Sequence, residues 1–343
     1  MAMIDLRSDT VTKPTPQMRE AMMRAEVGDD VMGEDPSINR LQEMIAEMTG
    51  MEASLFVASG TMGNQVCIAA HTERGDEIIV ERNAHIFNYE CGSPGMLSGV
   101  QVMPLQGKRG SFMLQQVREV VRPVNIHHPR TRLICLENTH NRASGAVFPF
   151  DEMKSISEFA RENSIRMHLD GARLWNASVA TGIPIREYCR NFDSVSLCFS
   201  KGLGAPVGSI VAGNRQFIEK ARYFRKAFGG GMRQAGFLAA AAIYAVENNF
   251  GRMAEDHRRA RWLAEFIATL PGIEIDLETV QTNIVIFDVR ATRYTGRQVR
   301  DMLSEKGIGM NTFAGTRVRA VTHLHITDDD IEQTIAALKT IFS

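Results

Sequence analysis

The sequence predicts an α/β protein: a mostly parallel sheet with helices on both faces, followed by a smaller α+β part. Three observations lead there. Short, nearly continuous apolar runs such as Arg132–Glu137 and Ser194–Phe199 alternate with amphipathic segments, the pattern of strands covered on both sides. Residues able to do chemistry stand where those runs end, which is where parallel sheets bind ligands. The alternation then changes after about Asn249, where a long helical stretch begins.

In chain order, the apolar runs predict strands at Leu55–Ala58, Glu77–Glu81, Arg132–Glu137, Arg166–Asp170, Ser194–Phe199 and Ser209–Ala212. Helices are predicted at Asn64–Thr72, Phe150–Glu162 and Arg215–Lys226. These make a large domain of residues 1–249, with 250–343 as a small domain. There, Arg252–Leu270 reads as a long helix stopped by Pro271-Gly272. Strands follow at Ile273–Ile275 and Ile284–Val289, a helix near Thr295–Lys306, and short strands near Gly309 and Arg317–Val321. Thr327 and three aspartates open a final helix, the hydroxyl and the acidic first turn both suiting a helix N-terminus.

Composition narrows the function classes. The 343 residues are 44% hydrophobic and 23% charged, which suits a folded globular protein. A formal net charge of −1 offers no basic surface for nucleic acid or anionic lipid. No signal-peptide core opens the chain and no apolar run is long enough to span a membrane, so a cytosolic protein is expected. Five scattered cysteines without CxxC spacing argue against a disulfide framework or a structural zinc site.

Five stretches could carry chemistry. In "SLCFSKGLGAPVGS" Lys201 follows an apolar strand; an amine held there is either a nucleophile or a lysine whose head stays in water. The glycine-then-lysine order of a P-loop is absent, since here the glycines follow the lysine, which disfavours that reading. In "RMHLDGARLWN" Asp170 ends another strand, as metal ligand, base, partner of a protonated ring nitrogen, or helix cap. Arg173 is an anion contact or the ion-pair partner of Asp170. In "FVASGTMGNQ" Gly60 and Thr61 stand at a strand-to-helix turn whose free N–H groups suit a phosphate, or simply follow a capping Ser59. In "ERNAHIFNYE" His85 lies just past a strand, as a site residue or an ordinary loop histidine. "FGGGMRQAG" is a flexible turn beside Arg225, Lys226 and Arg233, open to a ligand or a plain helix connection. Together these supply a lysine, a carboxylate, an anion cradle and a ring that stacks, the set pyridoxal phosphate requires.

At these residues the chain resembles the low-specificity L-threonine aldolase family. The matches "GDDVMGEDP", "ASGTMGNQ", "ENTHN", "HLDGAR", "SKGLGAPVGS" and "GGGMRQAG" fall between "IDLRSDTVTKPT" and the "VTH" of Val321–His323, essentially the whole chain. The resemblance implies the fold of the aspartate aminotransferases (fold type I), pyridoxal 5'-phosphate, and a homotetramer of two dimers with shared active sites. It implies Lys201 as the Schiff-base lysine and Asp170 as partner of the ring nitrogen. Arg173 would contact the cofactor's phenolate oxygen or the substrate carboxylate. Gly60 and Thr61 would hold the phosphate, helped by Lys226 and Arg233 from the neighbouring subunit. His85 would stack on the ring; Ser8 and Arg319 would bind the substrate carboxylate. His127 in "NIHHPRT" would lie near the substrate hydroxyl, its neighbour His128 making that pair ambiguous. No metal is implied. Met32 departs from the pattern, since the family commonly has Tyr there.

The expected reaction is retro-aldol cleavage of L-threonine or L-allo-threonine to glycine and acetaldehyde, with His85 or His127 as the base. Another fold type I enzyme, an aminotransferase or β-eliminating lyase, is the nearest alternative. A binding protein that uses the phosphate cradle without catalysis is the other.

Overall fold

The computed structural model describes residues 3–343. Its strands in chain order are β1 (Ile4–Asp5), β2 (Ala53–Val57), β3 (Glu77–Glu81), β4 (Gln101–Leu105), β5 (Thr131–Glu137) and β6 (Arg166–Gly171). Then come β7 (Ser194–Cys198), β8 (Ser209–Gly213), β9 (Ile284–Asp288), β10 (Ile308–Gly309), β11 (Asn311–Phe313) and β12 (Arg317–Val321). The main sheet has the order β2-β8-β7-β6-β5-β3-β4, with β8 antiparallel to both neighbours and the other pairs parallel. This is the mostly parallel sheet expected.

Alternation along the strands divides the core into two faces. Phe56, Ile79, Ile134, Leu136, Met167, Leu169, Val195 and Leu197 face one side, against helices Pro36–Thr49 and Phe150–Glu162. Leu55, Val57, Ile78, Val80, Leu133 and Cys135 face the other, against helices Gly60–His71 and Arg215–Ala227. On that second face β6 and β7 carry polar residues instead: His168, Asp170, Ser194 and Ser196, all buried. The helix Gly60–His71 lies so close to them that a Cβ on Gly63 would fall 2.4 Å from Ser196 Oγ.

A second core gathers Leu263, Ile267, Val285, Phe287, Val299, Leu303, Val318 and Leu338, together with Leu6 from the far end of the chain. Leu6 is there because β1 pairs in parallel with β10. The amino-terminal strand, assigned from sequence to residues 1–249, thus packs with the carboxy-terminal part. Thr327 caps its helix as expected, its Oγ1 accepting from Asp330 N at 3.2 Å, and Thr295 caps the helix Gly296–Glu305 in the same way.

Several elements differ from the sequence reading. Ile273–Ile275 is not a strand; only an isolated bridge joins Glu274 to Asp288. Strand β4 was not expected because Pro104 interrupts its pattern, yet at a sheet edge a missing N–H costs little. The helix predicted at Asn64–Thr72 begins at Gly60, since Ser59 Oγ already accepts from Met62 N at 3.2 Å. Helices Pro16–Met23, Pro36–Thr49, Leu114–Val120, Leu174–Thr181 and Gly236–Asn249 also escaped the pattern. The last is apolar nearly all round and gives no amphipathic signal.

Arg225, beside the glycine turn, is buried. It donates to Phe56 O at 2.9 Å and forms an ion pair with Asp30 Oδ2 at 2.8 Å, tying the amino-terminal loop to the sheet. Asp30→Ala would strand a buried guanidinium. It is expected to cost about 3–5 kcal/mol, seen as a lower urea midpoint at unchanged slope.

Candidate active site

The carboxyl ends of β5, β6 and β7 converge with the first turn of Gly60–His71. Asp170 lies near the end of β6, buried, beside Glu137 at the end of β5. Its Oδ1 accepts from Ala172 N at 3.1 Å and its Oδ2 from Asn64 Nδ2 at 2.9 Å. The same Asn64 Nδ2 donates to Glu90 Oε1 at 2.8 Å, and Gln65 Nε2 donates to Glu90 Oε2 at 2.6 Å. Glu90 in turn accepts from His85 Nδ1 at 2.9 Å. Ligand atoms of His85, Glu90 and Asp170 lie within 4.8 Å of one another. Such a trio can in principle ligate a cation, but here its carboxylate oxygens are taken up by amide donors that a cation would displace.

Burial opposes charge on His85, but Glu90's hydrogen bond, then the carboxylates of Asp170, Glu90 and Glu137, win and raise its pKa above the ordinary value. The hydrogen bond from Nδ1 leaves Nε2 as the free ring nitrogen. Glu137 Oε2 also accepts from His85 N at 2.7 Å, fixing the turn that carries the ring.

Lys201 follows β7 and is half-buried. Its Nζ makes one contact among the described residues, to Cys198 Sγ at 3.5 Å. Gly60 packs against that same sulfur, where a Cβ would come within 2.8 Å. The backbone N–H groups of Gly60 and Thr61 open the helix and have no intrahelical acceptor. All five cysteines are free thiols, four buried and Cys91 exposed.

A second cluster joins the two cores. Arg173 holds Asp9 through two bonds of 2.8 and 2.7 Å, both residues buried. Burial opposes the Asp9 charge, but Arg173 outweighs it and keeps the carboxyl below its usual range. Asn141 Oδ1 accepts from Arg319 Nη1 at 2.9 Å and Arg173 Nη1 at 3.4 Å. Arg319 Nη2 donates to Arg7 O at 3.2 Å, next to Ser8, while its buried Nε has no partner among the described residues. Burial and then the Arg173 charge push Arg319 down to about 10. A carboxylate bound at Nε would offset both. Ser8 itself caps a turn, accepting from Thr10 N at 3.2 Å.

The structure therefore brings together Lys201, Asp170, His85, Gly60 and Thr61, and places Arg173, Arg319 and Ser8 in one adjoining cluster. It does not bring His127 there. His127 is exposed and precedes β5, so the whole strand, about 23 Å at a usual rise, separates it from Glu137. Lys226 and Arg233 are also exposed, Arg233 bonded to Asp29 at 2.8 Å, although the glycine turn between them packs Gly230 on Met62. Met32 is 70% exposed. A cavity of about 600 Å³ lies alongside, between Glu81, His140, Arg142 and Arg317; Lys201 does not line it.

Sequence reasoning missed Asn64, Glu90, Asp9 and Asn141. Glu90 left one signal, a glutamate five residues after His85. The others became visible only as hydrogen-bond partners.

The beta-eliminating lyase family profile matches residues 5–291. With this fold, the match defines the class: the chain belongs to the beta-eliminating lyase family. Its sequence relatives are narrower. It is 42% identical to low-specificity L-threonine aldolase 1 of Arabidopsis thaliana, covering 99% of this chain and 96% of that protein. It is 43% identical to the low specificity L-threonine aldolase of Escherichia coli K12, covering 97% and 98%. Within the class, the chain is a member of the low-specificity L-threonine aldolase family. Two solved structures share the fold: a Leishmania major threonine aldolase, with TM-score 0.86, 18% identity and coverage of 99% and 100%, and an alanine–glyoxylate aminotransferase from Nostoc, with TM-score 0.75, 18% identity and coverage of 100% and 96%. No helix among the described residues is long and apolar enough to cross a membrane.

Glu90→Gln removes the carboxylate whose hydrogen bond most favours protonated His85. In cofactor-free protein the His85 imidazole is expected to titrate at lower pH than in wild type, followed by nuclear magnetic resonance. An unchanged midpoint would show that Glu90 does not govern it.

Proposed function

We propose that this chain is a carbon–carbon lyase that cleaves L-threonine and L-allo-threonine to glycine and acetaldehyde with pyridoxal 5'-phosphate. The observation that carries the reading is the His85–Glu90 pair standing beside Asp170, a base and an acidic ring partner in one pocket. The residues suit the cofactor. Lys201 has a single long sulfur contact, Asp170 keeps lone-pair capacity for a ring N–H, and the Gly60 and Thr61 N–H groups suit a phosphate. When bound, the cofactor supplies a protonated ring that draws electrons from the substrate's Cα–Cβ bond.

The chain's own residues do the rest. Arg319, with a free Nε, and Ser8 bind the amino-acid carboxylate and so choose which Cα bond faces the cofactor ring. Arg173, held by Asp9, presents a fixed positive wall beside them. His85 Nε2 takes the β-hydroxyl proton, Glu90 stabilising the imidazolium that forms. The base works only when neutral, and its pKa is raised, so activity falls as pH drops through that value. His127 reaches this site only from another subunit.

The proposal extends to a homotetramer in the cytoplasm, with Lys226 and Arg233 supplied to the phosphate of a neighbouring subunit. Exposed Met32, Tyr223 and Phe237 support a covered surface near that turn.

Products decide the reaction: purified protein with L-threonine should release equimolar glycine and acetaldehyde. Keto acid or ammonia instead would make it a transaminase or an eliminating lyase. Lys201→Ala should lose at least about a thousandfold in rate, as expected when a covalent anchor is removed. Arg319→Ala should raise KM for the amino acid far more than it weakens cofactor binding; equal losses would overturn the carboxylate role.

A further inference from the structure

The second face of the main sheet carries a buried polar chain that touches neither cofactor nor substrate residues except at its end. Asn64 Oδ1 contacts His168 Nε2 at 3.1 Å, His168 Nδ1 contacts Ser194 Oγ at 2.9 Å, and Ser194 Oγ contacts His71 Nε2 at 2.9 Å. The fold builds this with ordinary periodicities. Asn64 and His71 are seven residues apart on one helix face, His168 and Asp170 two apart on one strand face, and Ser194 is the register partner of His168.

Hydrogen-bond logic gives the chain one direction. The Asn64 Nδ2 donates to both Asp170 and Glu90, so its Oδ1 faces His168. An amide oxygen only accepts, so His168 Nε2 carries the hydrogen. In a neutral ring Nδ1 then accepts, from the Ser194 hydroxyl. The Ser194 oxygen is left to accept from His71 Nε2–H. Burial keeps both rings neutral, pushing His168 down to about 4 and His71 to about 3.

We propose that His71, Ser194 and His168 are positioning residues that lock the Asn64 amide with its NH2 toward Asp170 and Glu90. A flipped amide would set an oxygen against two carboxylates. Asn64 is thus the joint between the partner of the cofactor's ring nitrogen and the partner of the base. The inference rests on Asp170 serving the cofactor, not on which bond is cleaved.

Cofactor affinity and tautomer test it without any measurement of turnover. His168→Gln places an NH2 where Nε2–H was and should bind pyridoxal phosphate within about threefold of wild type. His168→Phe removes the donor and should bind it about tenfold more weakly, the worth of one buried hydrogen bond. If the two variants bind alike, both near wild type or both weakened, the ring's hydrogen is not what matters and the proposal fails. Should the Phe variant not fold, nitrogen-15 spectra of the wild-type cofactor-free protein decide. A neutral His168 protonated on Nε2 at pH 7 supports the lock; an Nδ1–H tautomer or an imidazolium overturns it.

Discussion

Two carboxylates, Glu90 and Asp170, share one amide. Both are buried, and Asn64 Nδ2 lies 2.8 and 2.9 Å from them. Like charges this close repel each other, and fixed donors hold them in place. Asn64, Gln65, Ala172 and His85 provide those donors, so the two groups serve different neighbours from one location. Asp170 also accepts from Ala172 N, and Glu90 from the His85 imidazole. The close seating of the helix Gly60–His71 on β6 and β7 is what makes one amide reach both, and Gly63 is what lets the helix sit that low.

The second organising contact is the crossing of the amino terminus. Strand β1 pairs with β10, and four residues later Asp9 is buried against Arg173 from the end of β6. Asn141 then links Arg173 to Arg319 on β12. The cluster suited to an amino-acid carboxylate is therefore assembled from both cores, and a change in their relative packing would move Arg319 against Lys201. Under the proposed function, bond selection would fall to the joint between the cores.

The groups left outside the single chain's pocket share a character. His127, Lys226, Arg233 and Met32 are all exposed, on loops or at a helix end. A chain folded alone gives them no partner at the site, except for the ion pair of Arg233 with Asp29. The roles proposed for His127, Lys226 and Arg233 would need a neighbouring subunit.

Much of this was legible in the sequence. Six strands of the main sheet stood out because strands buried on both faces are apolar runs, and Lys201, Asp170, Gly60 and His85 stood out because they follow such runs. Strand β4 and the helix Gly236–Asn249 did not, the first broken by a tolerated edge proline and the second apolar on every side. Apart from Glu90, five residues after His85, the residues that tune the site were not legible. Asn64, Glu90, His168 and Asp9 are far apart along the chain, and a polar residue in a buried position shows its purpose only through its partner. Local pattern follows from neighbours in sequence, whereas hydrogen-bond pairing, tautomer and charge are set by neighbours in space, so the chemistry of this pocket was decided when helix, sheet and amino terminus came together.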